Sequence, residues 1–227
     1  MDLNPAHLHL TVPRTARVAL LGAPGPHVRE LWIVLHGYGQ LAQEFLEDFQ
    51  SIAAPHRLIA APEALSRFYR DAAPAAIHKD SPVGASWMTR EDRGAEIEDY
   101  VRYLDAVHRE LLAHGVPSGA ALNVLGFSQG AATAVRWAAL GIRGPDRLIL
   151  WAGSFPEDVD VEAHAQRLAA ARPVFVFGNR DRLVAPGRVE ALVERLGGRG
   201  VPVQVLRFAG GHRLDDETLG TLAESAG

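Results

Sequence analysis

The sequence predicts an α/β fold: a mostly parallel sheet with an antiparallel N-terminal edge, helices on both faces and no large lid domain. Three observations predict it. Short β-rich apolar runs alternate with longer stretches of helical period along the chain. The run LWIVL at 31–35 is continuously apolar, as a strand buried on both faces requires. The first two runs, at 8–12 and 17–21, have no helical stretch between them, so they are expected to pair as an antiparallel hairpin at one edge.

The remaining elements follow in order. Leu41, Phe45, Phe49 and Ile52 recur at helical spacing after the 31–35 strand. A short strand at 57–61 ends at Pro62, and a loop-like stretch rich in Ala, Pro and Ser runs to about Glu91. Ile97, Val101, Leu104, His108 and Leu111 mark one face of a long helix. Strands at 121–125, 148–151, 173–177 and 201–208 then alternate with helices at 131–139, 161–171, around Val189–Leu196, and at 214–223. Connections of this kind build a parallel sheet with right-handed crossovers. No repeat, low-complexity tract or linker divides the chain, so 1–227 is read as one domain.

Composition narrows the function. Of the 227 residues 48% are hydrophobic and 22% charged, the balance of a soluble globular protein. A formal charge of -4 and a pI near 6.2 offer no basic face for nucleic acid or an anionic membrane. Lys79 is the only lysine among 23 basic residues, which reads as composition bias. There is no cysteine, which excludes disulfides, thiolate metal sites and a cysteine nucleophile. The first 13 residues lack the basic start and apolar stretch of a secretory signal, and no apolar run spans a bilayer. A cytoplasmic protein without stable membrane insertion is the expectation. A homodimer stays open.

The chemistry-bearing motif is Gly126-Phe127-Ser128-Gln129-Gly130, between a predicted strand and a predicted helix. A G-x-S-x-G turn there lifts a serine hydroxyl above the sheet edge where ligands bind, and its small flanking residues let strand and helix approach. A serine hydroxyl is a poor nucleophile until a base takes its proton. Such a turn takes its partners in the chain order serine, acid, histidine. Of ten histidines only His164 and His212 follow Ser128; His164 falls inside a predicted helix, whereas His212 follows Gly210-Gly211 after the last strand. Asp181 is the only carboxylate in the loop after the penultimate strand, with Asp215 and Asp216 as rivals by proximity to His212. Ser128, His212 and Asp181 are therefore the candidate nucleophile, base and orienting acid. A tetrahedral intermediate also needs backbone donors. The candidates are the Gln129 N–H and the Tyr38 N–H, or second Gly39, from His36-Gly37-Tyr38-Gly39-Gln40. His36 precedes Ser128 and reads as structural.

These residues resemble the small carboxylesterase/phospholipase family of α/β hydrolases, which includes the acyl-protein thioesterases. Its HG-x-G is matched at 36–39, its GFSQG at 126–130, its G-x-x-D-x-x-V-x-P by Gly178, Asp181, Val184 and Pro186, and its GGH at 210–212. Ser86-Trp87-Met88 resembles its tryptophan loop. The resemblance implies hydrolysis of carboxylic or thioester bonds by Ser128, Asp181 and His212, oxyanion donors at Tyr38 and Gln129, and no metal or cofactor. It departs at Gln40, where the family has Asp, at Met88-Thr89, where Phe-Asp is usual, and through 62–91, where Arg67, Phe68, Tyr69 and Arg70 find no match.

The expected partner is a small-molecule ester of short or medium acyl chain. Lysophospholipid or acyl-protein thioester is the alternative, and a non-catalytic binding protein of the same fold the third reading. Phe68, Tyr69, Trp87 and Met88 lie in the one long loop. They either line an apolar pocket beside Ser128 or hold the loop down.

Overall fold

The computed structural model describes residues 7–70 and 80–225. Residues 71–79 of the long loop, with Lys79, fall outside the described residues, as do the first six and last two. Seven strands form one sheet: β1 (Val18–Leu21), β2 (Glu30–Leu35), β3 (Arg57–Pro62), β6 (Ala121–Phe127), β7 (Arg147–Trp151), β8 (Val174–Gly178) and β9 (Gln204–Phe208). Their order across the sheet is β1-β3-β2-β6-β7-β8-β9. β1 runs antiparallel to β3 at the edge, and every other pair is parallel. β4 (Ser66–Tyr69) and β5 (Val83–Ser86) form a separate antiparallel hairpin. The helices are α1 (Ala42–Glu47), α2 (Arg93–Ala113), α3 (Gln129–Leu140), α4 (Val161–Ala170), α5 (Pro186–Gly197) and α6 (Asp216–Glu224). Among the described residues no helix is long and apolar enough to cross a membrane.

The 31–35 run explains the layering. Leu31, Ile33 and Leu35 point into a core shared with Leu104, Val135 and Leu150, while Trp32 and Val34 point into a second core with Phe45, Ile149 and Leu222. Successive strand side chains face opposite ways, so six apolar or capped positions in a row demand a cover on each face. Each fully buried aliphatic side chain contributes roughly 1.5–3 kcal/mol. β2 begins with a charge, and the fold neutralises it: Glu30 accepts from Arg57 Nε at 2.8 Å and from the Trp32 indole at 3.1 Å.

One expected element does not form. The 8–12 run alternates as a strand should, but among the described residues it has no strand partner, and Leu8, Leu10 and Val12 are 83%, 75% and 71% exposed. Alternation says that one face is apolar; a strand also needs backbone partners, and Pro13 supplies no N–H. The antiparallel edge is made instead by β1 against β3.

The strand order sets the site. From β2 the chain steps outward to β3 and then returns to β6 on the other side of β2. The carboxyl ends of β2 and β6 therefore lie side by side with their connections diverging, and Leu35 pairs with Gly126 there. Open α/β sheets bind ligands in the crevice at such a reversal.

Candidate active site

Ser128 sits on the turn from β6 into α3, with φ 53° and ψ -114°. A non-glycine residue holds such angles only when its surroundings fix them, at a cost of about 1–3 kcal/mol. Three close approaches fix them here. A Cβ on Gly126 would meet Gly130 O at 2.2 Å, one on Gly130 would meet Leu35 O at 2.2 Å, and one on Gly153 would meet Ser128 O at 2.5 Å. The Ser128 N–H also donates to Trp151 O at 2.8 Å.

The loops after β8 and β9 are tied to each other. Asn179 N–H donates to Phe208 O at 2.9 Å and Arg180 N–H to Gly210 O at 2.8 Å. Gly178 packs against the backbone of Gly210 too closely for any side chain. This brings Asp181 to His212. His212 Nδ1 lies 2.8 Å from Asp181 Oδ2, and His212 Nε2 lies 3.0 Å from Ser128 Oγ. The Asp181 carboxylate is buried, its second oxygen accepting from Leu183 N–H at 2.9 Å. The Phe127 ring lies 5.0 Å from the imidazole. The other candidates are elsewhere: His164 is within α4, Asp215 caps α6 through Thr218 N–H at 3.2 Å, and Asp216 accepts from Ser51 Oγ at 3.3 Å.

The loop after β2 faces Ser128 across the crevice. Gln40, where the resembled family carries Asp, closes it by accepting from Gly37 N–H at 2.8 Å. Gly39 N–H donates to Ala85 O at 2.9 Å, so it is occupied. Among the described residues neither Tyr38 N–H nor Gln129 N–H has a hydrogen-bond partner. His36 is buried: its Nε2 accepts from Ala64 N–H at 3.0 Å, which leaves Nδ1 to donate to Gly37 O at 2.8 Å. Burial lowers its pKa, so it stays neutral and holds the loop.

Two hollows meet at His212. The larger, about 880 Å3, is lined by Ser128 and Gln129 and by Met88, Phe155, Leu183 and Leu192. The smaller, about 330 Å3, is lined by Gln40, Phe127 and Leu214 among others. The larger also carries charge. Arg136 reaches Asp158 with two nitrogens, at 2.8 and 2.7 Å, and Arg93 reaches it at 2.8 Å. The Arg136 hydrogen bonds hold the Asp158 carboxyl far below the usual carboxylate range. Among the described residues no three His, Asp or Glu side chains are grouped to hold a metal ion.

A family model described as "Serine hydrolase (FSH1)" matches residues 32–216, from Trp32 within β2 to Asp216 at the start of α6. The chain belongs to the FSH1 serine hydrolase family. No sequence among the curated proteins matches it. Among solved structures it is similar to esterase PE8, at 22% identity and a TM-score of 0.69, covering 93% of this chain and 98% of that one. It is similar also to acyl-protein thioesterase 2 of Zea mays, at 19% identity and a TM-score of 0.66, covering 94% and 100%. A carboxylesterase from Mesorhizobium loti shares 20% identity at a TM-score of 0.69, covering 92% and 93%. These likenesses place this FSH1-family chain in the α/β-hydrolase fold.

Of the four residues expected to line a pocket in the hydrolase, only Met88 borders the larger hollow. Trp87 is buried, its indole N–H donating to His36 O at 2.9 Å and its ring packed against His36 and Tyr100. Phe68 stacks at 5.0 Å on Tyr38, a residue 62% exposed, and Tyr69 borders neither hollow. The β4–β5 hairpin braces the Tyr38 loop, since Gly84 touches the Gly39 backbone. The Gln129 side chain secures the other end, accepting from Trp87 N–H at 3.0 Å and donating to Met88 O at 2.9 Å.

Glu63 had no signal in the sequence. Its buried carboxylate takes Arg17 at 2.7 and 2.9 Å, Arg67 at 2.5 Å and Ala42 N–H at 3.3 Å, beside the Ala64 N–H that holds His36. Burial works to raise its pKa, but the hydrogen bonds from Arg17 and Arg67 outweigh it and the net shift is downward. A lowered carboxylate contributes stability that is full above its ordinary value of 4.5 and is lost as pH falls through the folded value. Glu63→Gln is expected to cost about 1–2 kcal/mol at neutral pH, the exposed Arg17 moderating the loss. Urea midpoints at pH 7 and pH 3.5 check this: the variant should lose less than the wild type on acidification, and equal losses contradict it.

Proposed function

We propose that the protein hydrolyses carboxylic esters through an acyl-enzyme on Ser128. The observation that carries this reading is the pair of contacts at His212, 3.0 Å to Ser128 Oγ and 2.8 Å to Asp181, at the meeting point of two hollows. An ionised carboxylate is an acceptor only, so Asp181 fixes the proton on Nδ1 and leaves Nε2 to take the Ser128 proton. Ser128 Oγ attacks the ester carbonyl, and the oxyanion forms against the free N–H groups of Tyr38 and Gln129. The C–O bond to the alcohol then breaks, and the alcohol leaves with the proton from His212. Water, deprotonated by the same imidazole, cleaves the acyl-enzyme and regenerates Ser128. The two hollows take the acyl and alcohol portions, and short or medium esters are the expected substrates. Turnover of para-nitrophenyl esters of graded acyl length tests the proposal; negligible activity at every length overturns it.

A further inference from the structure

One wall of the larger hollow is α5, and it presents Arg188 and Arg195, two helical turns or about 10 Å apart on one face. Arg195 lies with its guanidinium carbon 5.7 Å over the Phe155 ring, and its Nε–H is buried without a partner among the described residues. No carboxylate pairs with Arg188 or Arg195 among the described residues. Arg147 and Arg167 hold no carboxylate either, but backbone carbonyls such as Leu222 O and Ala138 O take their N–H groups, whereas the Arg195 Nε–H has no such acceptor among the described residues. Across the same lining Arg93 and Arg136 share Asp158, and Glu157 is the only other acid among the described residues. Among the described residues the hollow thus holds four arginines against two carboxylates, in a chain whose net charge is -4. A concave low-dielectric wall concentrates that positive field.

Resting on the reading of Ser128 as nucleophile, we infer that this hollow selects esters whose acyl or alcohol portion carries a carboxylate, with Arg195 as the group that receives it. A guanidinium anchored on an aromatic face offers a paired N–H edge to a carboxylate, which a neutral ester does not use. Arg188 adds attraction at the more exposed end of the helix face.

Two matched pairs of substrates test this, each rate normalised to the ester's own alkaline hydrolysis. Mono-para-nitrophenyl adipate against para-nitrophenyl hexanoate puts the charge on the acyl side. Para-acetoxybenzoate against its methyl ester puts it on the alcohol side. The expected result is a preference in kcat/KM of about tenfold or more for the anionic member of one pair, carried by KM and weakened by salt. The pair that shows it identifies the side. The preference should fall by about tenfold in Arg195→Met and return in part in Arg195→Lys. Equal or reversed preference in the wild type, or a ratio unchanged in Arg195→Met, overturns the inference. A wild type that turns over none of the four yet reacts with a fluorophosphonate at Ser128 overturns this inference alone. One that does neither overturns the reading of Ser128 as well.

Discussion

Ser128→Ala is expected to lower kcat on a para-nitrophenyl ester by roughly 10^4–10^6-fold while leaving the far-UV circular dichroism spectrum unchanged. The size follows from the proposed division of labour. The hydroxyl forms the bond that makes the acyl-enzyme, so without it only the oxyanion donors and substrate binding remain. Asp181→Asn is expected to cost about 10^4-fold. It keeps the shape of a side chain buried between His212 and Leu183 N–H, but its amide favours the wrong imidazole tautomer. Both losses should fall on kcat with KM little changed, because both groups act after substrate is bound. A Ser128→Ala protein within tenfold of wild type would contradict the assignment.

Gly130→Ala is expected to be among the most damaging single methyl additions to the fold. Its Cβ would lie 2.2 Å from Leu35 O, 2.7 Å from His36 O and 2.7 Å from Leu35 C, all backbone atoms of the strand that packs on α3. Flexible side-chain tips can move aside; the end of a central strand cannot without displacing its neighbours. A loss of about 3 kcal/mol or more is expected, a fall of roughly 6–12 °C in thermal midpoint for a chain of this length. The serine turn should shift with it, so activity falls too. Gly220→Ala in α6 is the control, since nothing lies within 4 Å of its Cβ and alanine favours the helix. A Gly130→Ala midpoint as high as that of Gly220→Ala would show that the strand end is not packed as described.

The fold was legible where one residue type had one physical meaning. The 31–35 run had to be covered on both faces, and it is. That Ser128, Asp181 and His212 would come within contact was legible through chain order, because each follows a strand of a parallel sheet and all such strand ends open on one edge. Pairing was legible only in part. The 8–12 run carries the right alternation, but pairing depends on a neighbour that no local pattern names. The long loop left two readings open for the same reason. Trp87 is an aromatic in a loop by sequence, yet its indole N–H finds His36 O, 51 residues away, and its ring turns into the core. Glu63 was invisible because its meaning lies in Arg17, 46 residues back. The arginines of α5 were set aside as composition; only their place on the wall of the larger hollow, and the unpartnered Nε of Arg195, distinguish them.

The most direct test of the central claim, that His212 activates Ser128 as the nucleophile, is to locate a fluorophosphonate adduct by peptide mapping. The expected result is one adduct per chain, on Ser128, absent in Ser128→Ala and slowed severely in His212→Ala. An adduct on another residue, or labelling of Ser128 at the wild-type rate without His212, would contradict it.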